Sequence, residues 1–484
     1  MREHQRRRCT LALMGAAALV LVACQTTPSA PPLLDLPPAT ATSEPGLERW
    51  WTRFDDPALS TLVDEALAHN LDLQAAMARV DLARANVLLA QSYLYPSANL
   101  GVDASRNRMT LVGSQPLPAN FNPTNNDYLA GLRASYEVDL WGRYRQGAAA
   151  ARSELLATEY ARQTVRTAVA AETARAYFGL LAADAELALL RDTLQARDAT
   201  VALQTDLYHA GIIGDYDLQR AQAERAAVVA NLATAERAVG TYESALAAIL
   251  GRSPRAVFDP QIAREVTQGR LLTVPDVPAG LPSDMLERRP DVKQVAAQLA
   301  AASLRIDAAR AQYFPSLSLT ASYGSESAAL ANLFSGPALA WGIGASLLQP
   351  LIGLKAIEAN VQAETARREA ALVNYVQTVQ TAFRETRDAL LANRTTRDAL
   401  AAQSERVKKL ATSLELAELR YRSGYSGYLD VLDAQRQLLQ AQTLQILAAR
   451  DVRLALIDLA RAMGGGWDYQ AGMATRQAER DLLF

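Results

Sequence analysis

Tyr208–Gln222 reads YHAGIIGDYDLQRAQ, and Tyr421–Gln435 reads YRSGYSGYLDVLDAQ. The second stretch stands 213 residues after the first, and the match runs on without a gap: Ala235, Arg237, Leu246 and Gly251 answer to Ala448, Arg450, Leu459 and Gly464. Upstream the offset is 219, pairing Asp72 and Tyr95-Pro96-Ser97 with Asp291 and Phe314-Pro315-Ser316. Self-similarity on this scale means a chain assembled from two like halves. In each quoted stretch a glycine pair, Gly211 with Gly214 and Gly424 with Gly427, interrupts strong helix formers. Such a pair lets a helix stop and the chain reverse within a few residues.

Working outward, the segments flanking these turns predict very long helices. No proline occurs between Pro123 and Pro254 or after Pro350, and both intervals are dense in Ala, Leu, Gln, Glu and Arg. Leu180, Leu187, Leu194, Val201 and Tyr208 recur every seventh residue, as do Leu400, Val407, Leu414 and Tyr421. A sustained seven-residue stripe implies left-handed supercoiling against neighbouring helices. A helix from Arg143 to His209 would be roughly 100 Å long, which fits a column better than a globular core.

Between the helices the period changes to two. Ala98, Leu100, Val102 and Ala104 alternate with polar or small residues, as do Tyr128, Leu132, Ala134, Tyr136, Val138 and Leu140. The second half repeats this with Leu317, Leu319, Ala321 and Tyr323, then Leu339, Trp341, Ile343, Ala345 and Leu347. Strands of roughly 9–11 residues with one apolar face suit a transmembrane barrel; a single such strand suits a soluble hairpin better, and four flanked by very long helices shift the balance. Four strands cannot close a barrel, and an open edge in lipid leaves backbone groups unsatisfied. Several chains must then share one barrel, and three chains give a wide pore of about twelve strands.

The N-terminus predicts export. Arg2, Arg6, Arg7 and Arg8 precede an apolar run, Leu11–Ala23, that is too short for a permanent membrane helix. It ends at Leu21-Val22-Ala23-Cys24, resembling a bacterial lipoprotein signal with Cys24 as the acylated first mature residue. Loss of residues 1–23 removes four arginines and one glutamate, taking the formal charge from −2 to −5. A mildly acidic chain of mixed charge carries no footprint for nucleic acid. With Cys9 cleaved away and Cys24 blocked, no thiol is left for cysteine catalysis, redox work or a thiolate metal site. His69 and His209 lack partners at metal-ligand spacing, and Gly464-Gly465-Gly466 follows a helix rather than opening one. No catalytic residue, cofactor or metal site is expected.

Four motifs carry a family resemblance: Trp50-Trp51 with Phe54-Asp55-Asp56-Pro57; Tyr136–Arg143 (YEVDLWGR); Leu281–Asp291 (LPSDMLERRPD); and Tyr428–Arg436 (YLDVLDAQR). Over essentially the whole mature chain the sequence resembles the TolC-like outer-membrane factors, in particular the lipoprotein branch that serves RND-type efflux systems. The resemblance implies an α+β membrane protein, a homotrimer sharing one 12-stranded transmembrane β-barrel, four strands per chain. The barrel continues into a 12-helix periplasmic α-barrel. It implies a passive exit duct in the outer membrane, lipid-anchored, with a periplasmic adaptor and an inner-membrane RND-type pump as partners. The expected organisation is a signal peptide at 1–23 and a lipidated tether at 24–47. The first repeat spans 48–265, with strands near 97–107 and 128–140 and a tip at 209–217. The second spans 266–464, with strands near 316–324 and 339–349 and a tip at 422–430, followed by a tail at 465–484.

The resemblance also assigns sites. Asp430 and Asp433, three residues apart on one helix face, would form a double acidic ring around the pore axis; acids in a first helical turn also complement its dipole. Tyr421 and Asp217 match a gate-closing tyrosine–aspartate pair, although Tyr421 also ends the heptad stripe and Asp217 suits a helix cap. Ser426 stands where some relatives carry a gating arginine, so that charge is missing or comes from elsewhere. The tips, with Gly211, Gly214, Gly424, Ser426, Gly427 and Tyr428, would dock the adaptor. Trp141 and Trp341 are candidate interfacial girdle residues, and Trp50-Trp51 are expected to pack on helices. Two other functions fit parts of the pattern: the outlet of an ABC-driven type I protein secretion system, and a lipid-anchored periplasmic coiled-coil scaffold or adaptor.

Overall fold

A computed structural model of the chain describes residues 49–112, 122–264 and 288–464. The signal peptide, the tether with Cys24, Leu281–Glu287 of the third motif and the 465–484 tail lie outside the described residues. The chain divides into two compact units.

The first unit includes Leu82–Leu156 and Ala297–Val373. At its centre is one antiparallel sheet in the order β1 (Ser97–Arg108), β2 (Thr124–Val138), β3 (Ser316–Ser327), β4 (Leu339–Leu348). The register lines the apolar positions up across all four strands. Leu100 faces Leu132, which faces Tyr323, which faces Trp341; in the next row Ala98, Ala134, Ala321 and Ile343 align. The alternate rows are small or polar, for example Asn99, Arg133, Ser322 and Gly342. The apolar face is bare in the single chain: Leu100 is 78%, Trp341 71% and Ile343 84% exposed.

Three strand ends differ by two residues or more from the sequence reading. β3 runs past 324 to Ser327, because Ser325–Ser327 pair with Tyr128–Ala130, and the other two ends belong to β2. β2 begins at Thr124 instead of 128, because Thr124–Asp127 continue the ladder opposite Ser105–Arg108. It stops at Val138, short of 140, because Asp139 is drawn into the next helix. The Asp139 carboxylate accepts from the backbone N–H groups of Tyr144 (3.2 Å) and Arg145 (2.8 Å), and Gly142 turns with φ +80°. Trp141 belongs to this joint: its indole N–H donates to the Pro315 carbonyl (2.8 Å) and its ring stacks on Phe314. Only Trp341 stands out from the apolar face as a girdle residue would.

The second unit includes residues 49–81, Ala157–Ala296 where described, and 374–464. Its helices are α1 (Pro57–His69), α2 (Leu71–Ser92, in part), α3 (Arg143–His209, in part), α4 (Asp215–Ile249), the short α5 (Pro254–Phe258), α6 (Pro290–Arg310, in part), α7 (Leu354–Arg422, in part) and α8 (Tyr428–Ala462). α3 has 67 residues and α7 has 69. The main core gathers Trp50, Trp51, Leu59, Val63, Tyr177, Phe178, Leu180, Leu246, Val452 and Ile457. Asp56 anchors α1 from inside it, capping the N–H groups of Ala58 and Leu59 while accepting from the Tyr177 hydroxyl (2.8 Å).

The duplication is visible at the level of single caps. Gly251 and Gly464, both at positive φ, close α4 and α8; a side chain there would meet the carbonyl of His69 in one half and of Arg288 in the other. Residues one further along do the same work by different chemistry. Asn70 Nδ2 donates to the Ile249 carbonyl (2.8 Å), and Arg289 Nη1 donates to the equivalent Ala462 carbonyl (3.2 Å). Asn70 Oδ1 also accepts from the N–H groups of Asp72 and Leu73. That side-chain cap starts α2 as a helix separate from α1. Arg289 is held in turn by Asp291 and Glu385, which accounts for the Arg289-Pro290-Asp291 end of the third motif.

Candidate functional site

The two turns of the second unit are built alike. At the end of α3 the Gly211 N–H donates to the Tyr208 carbonyl and the Ile212 N–H to the Leu207 carbonyl. At the end of α7 the Gly424 N–H donates to Tyr421 and the Tyr425 N–H to Arg420, all four bonds being 2.9–3.0 Å. This bonding satisfies the last helical carbonyls and needs a left-handed residue, which Gly211 (φ +72°) and Gly424 (φ +73°) supply. The second glycine of each pair has another role. Gly214 (φ −84°) and Gly427 (φ −75°) are extended N-caps of α4 and α8, receiving the N–H groups of Asp217 and Asp430 on their carbonyls.

Asp430 and Asp433 both lie exposed on one face of α8, as their spacing implies. They line a groove of about 670 Å³ that also takes in Leu416, Arg420, Ser426 and Gln437. Asp433 accepts from the Gln437 amide. The Ser426 hydroxyl is buried at this wall without a partner among the described residues, whereas the neighbouring Tyr425 is 80% exposed. Asp217 sits half-buried in the first turn of α4, and no hydrogen bond joins it to Tyr421 among the described residues. Tyr421 instead lies ring to ring with Tyr428, centroids 5.7 Å apart. Burial raises the Tyr428 phenol above the usual tyrosine range, with the Arg197 charge beside it pulling the other way.

Two features escaped the sequence reading. Arg420 places a cation on the groove that holds Ser426, Asp430 and Asp433; its position one residue before Tyr421, in the last turn of α7, was the available signal. The other is a second seven-residue row on α3, Ala183, Leu190, Arg197 and Gln204, every member of it buried. It stands three residues on from the Leu180 row, as the two inward positions of a heptad do. Arg197 Nη1 donates to Gln435 Oε1 of α8.

This pairing of a four-stranded, one-face-apolar sheet with long antiparallel helix hairpins recurs in known proteins. The outer membrane efflux protein family model matches residues 62–252 and 281–465. The chain belongs to that family. It is 31% identical to the probable efflux pump outer membrane protein TtgC of Pseudomonas putida, covering 97% of this chain and 98% of that one. It is 33% identical to the outer membrane protein OprJ of Pseudomonas aeruginosa, with 96% and 97% covered. The crystal structure of the Campylobacter jejuni CmeC outer membrane channel superposes with a TM-score of 0.84 at 27% identity, covering 90% of this chain and 95% of that one. As a family member the chain is an outer-membrane protein of efflux, with the α+β channel fold that the resemblance implied. No described helix is long and apolar enough to cross a membrane, so the sheet is the element with a lipid-compatible face.

Proposed function

We propose that three copies of this chain form the passive exit duct of a tripartite efflux pump that passes drugs or other small toxic molecules from the periplasm to the exterior. The observation that carries this reading is the sheet: a continuous apolar face, a small and polar opposite face, and two open edges, β1 and β4. In lipid both edges must find partners, and the β1 edge of one chain against the β4 edge of the next supplies them until twelve strands close. Twelve helices in hairpins then make the periplasmic tunnel. Cys24 carries the lipid anchor.

The relatives' names supply the cargo class: TtgC of one P. putida strain is named for toluene, and other relatives for antibiotic, solvent or pyoverdine export. The partners are a periplasmic adaptor, docked at the hairpin turns around Gly211–Gly214 and Gly424–Tyr428, and an RND-type inner-membrane pump. The chain has no energy source of its own to offer. In the trimer, Asp430 and Asp433 line the constriction, and Tyr421 and Asp217 hold it closed.

Capture in living cells tests the assignment. Tyr425 is more exposed than Ser426, so Tyr425→Cys labelled with a photocrosslinker is the suitable probe. The expected product joins this chain to the adaptor of a proton-driven efflux pump. Capture of an ABC-linked adaptor would reassign the chain to protein export, and absence of any adaptor would remove the tip as docking site.

A further inference from the structure

The buried row on α3 changes character as it nears the turn. Ala183 and Leu190 are apolar; Arg197 and Gln204, the next two members, are 4% and 1% exposed and polar. The companion row stays apolar at Leu194 and Val201, so the helix has not simply turned toward water. Around Leu187 and Leu190 the seam is sealed by Val228, Leu232 and Ala235 of α4 and Leu439 of α8. Below that seal the surroundings are poor for the groups involved. Among the described residues Arg197 Nε has no partner, and neither amide atom of Gln204 has one.

The other two buried arginines among the described residues, Arg289 and Arg453, have carboxylates near them. Arg289 meets Asp291 and Glu385. Arg453 feels the carboxylate of Asp56. Arg197 has the neutral Gln435 amide and, beside it, the phenol of Tyr428; no carboxylate lies at ion-pair distance among the described residues. A buried cation without a counter-charge, and two turns further along the same row a buried amide without partners among the described residues, are stabilised more by water than by this seam. Polar residues at the inward positions of a coiled coil lower its stability in the same way.

We propose that Arg197, Gln204 and Gln435 form a metastable polar layer that favours parting of α3 from α8 just inside the turns, a built-in opening element of the duct. Parting hydrates the guanidinium and both amides, which offsets the cost of exposing the apolar side chains of the seam. The layer also adjoins Tyr428, and through it the Tyr421 ring, so release of the seam is coupled to the gate tyrosine.

This inference rests on reading the turns as the end at which the duct opens, and the test separates the two. The full lipidated protein carrying Arg197→Met, Gln204→Leu and Gln435→Leu is compared with the wild type in two ways: thermal unfolding followed by helical circular dichroism, and occupancy of the high-conductance state in planar bilayers. The expected result is a higher midpoint with about tenfold lower open occupancy. A lower midpoint with more opening would overturn the proposal, making the layer a clasp that holds the helices together. An unchanged midpoint would overturn it equally. If neither protein conducts, the duct reading fails, and the midpoint alone still decides the fate of the layer. Gln204→Leu by itself, which leaves Arg197 and Gln435 joined, serves should the triple variant fail to fold, with the same expected direction.

Discussion

Asp430 and Asp433 are the residues most exposed to direct functional test. Both are solvent-facing on one wall of a groove, and neither has a cationic partner among the described ion pairs. Arg420 shares that groove and offsets part of their field. In a trimer six carboxylates would converge, which favours cations passing between them. Replacing both by asparagine is expected to weaken cation selectivity, seen as a reversal potential moving toward zero in an asymmetric salt gradient. An unmoved reversal potential would mean that the acids only complement the dipole of α8. Asparagine retains the shape of these side chains, so the helix itself should survive the change.

At the scale of elements, the glycines separate two roles that the sequence shows as identical letters. Gly424 and Gly251 both stand at positive φ, but nothing lies within 4 Å of a side chain added at Gly424, while one at Gly251 would sit 2.1 Å from the His69 carbonyl oxygen. Gly424→Ala therefore meets the left-handed backbone penalty alone, about 1–2 kcal/mol. Gly251→Ala must in addition push α1 away from the end of α4. Chemical denaturation should show the Gly251 variant losing at least twice as much stability as the Gly424 variant; equal losses would contradict the close approach. Much at this scale was legible in advance. The period of two placed all four strands, and the absence of proline placed α3 from Arg143 to His209. What stayed hidden depends on long-range partners. The break at Asn70 exists because its side chain caps two helices at once, one of them 179 residues away. The inward row through Arg197 and Gln204 was missed because its residues are polar, and polarity in a heptad reads as surface until packing shows otherwise.

For the whole molecule, the decisive fact is a sheet with two unpaired edges and one bare apolar face. Within a single chain that arrangement is an aggregation hazard, and in a bilayer it is untenable. Closure by copies of itself removes both problems at once, and the count of copies sets the pore. Two chains would give eight strands with a lumen nearly filled by side chains; three give twelve and an open channel. The mature chain should have no free thiol, so engineered cysteines report cleanly. Asn99→Cys in β1 combined in turn with Ala340→Cys, Gly342→Cys or Gly344→Cys in β4 places both thiols on the polar face at opposite edges. Oxidation in outer membranes should yield, for at least one of the pairs, covalent species of two and three chains and nothing larger. A ladder that stops at two, one that continues past three, or monomer at every pair would contradict a barrel closed by three chains.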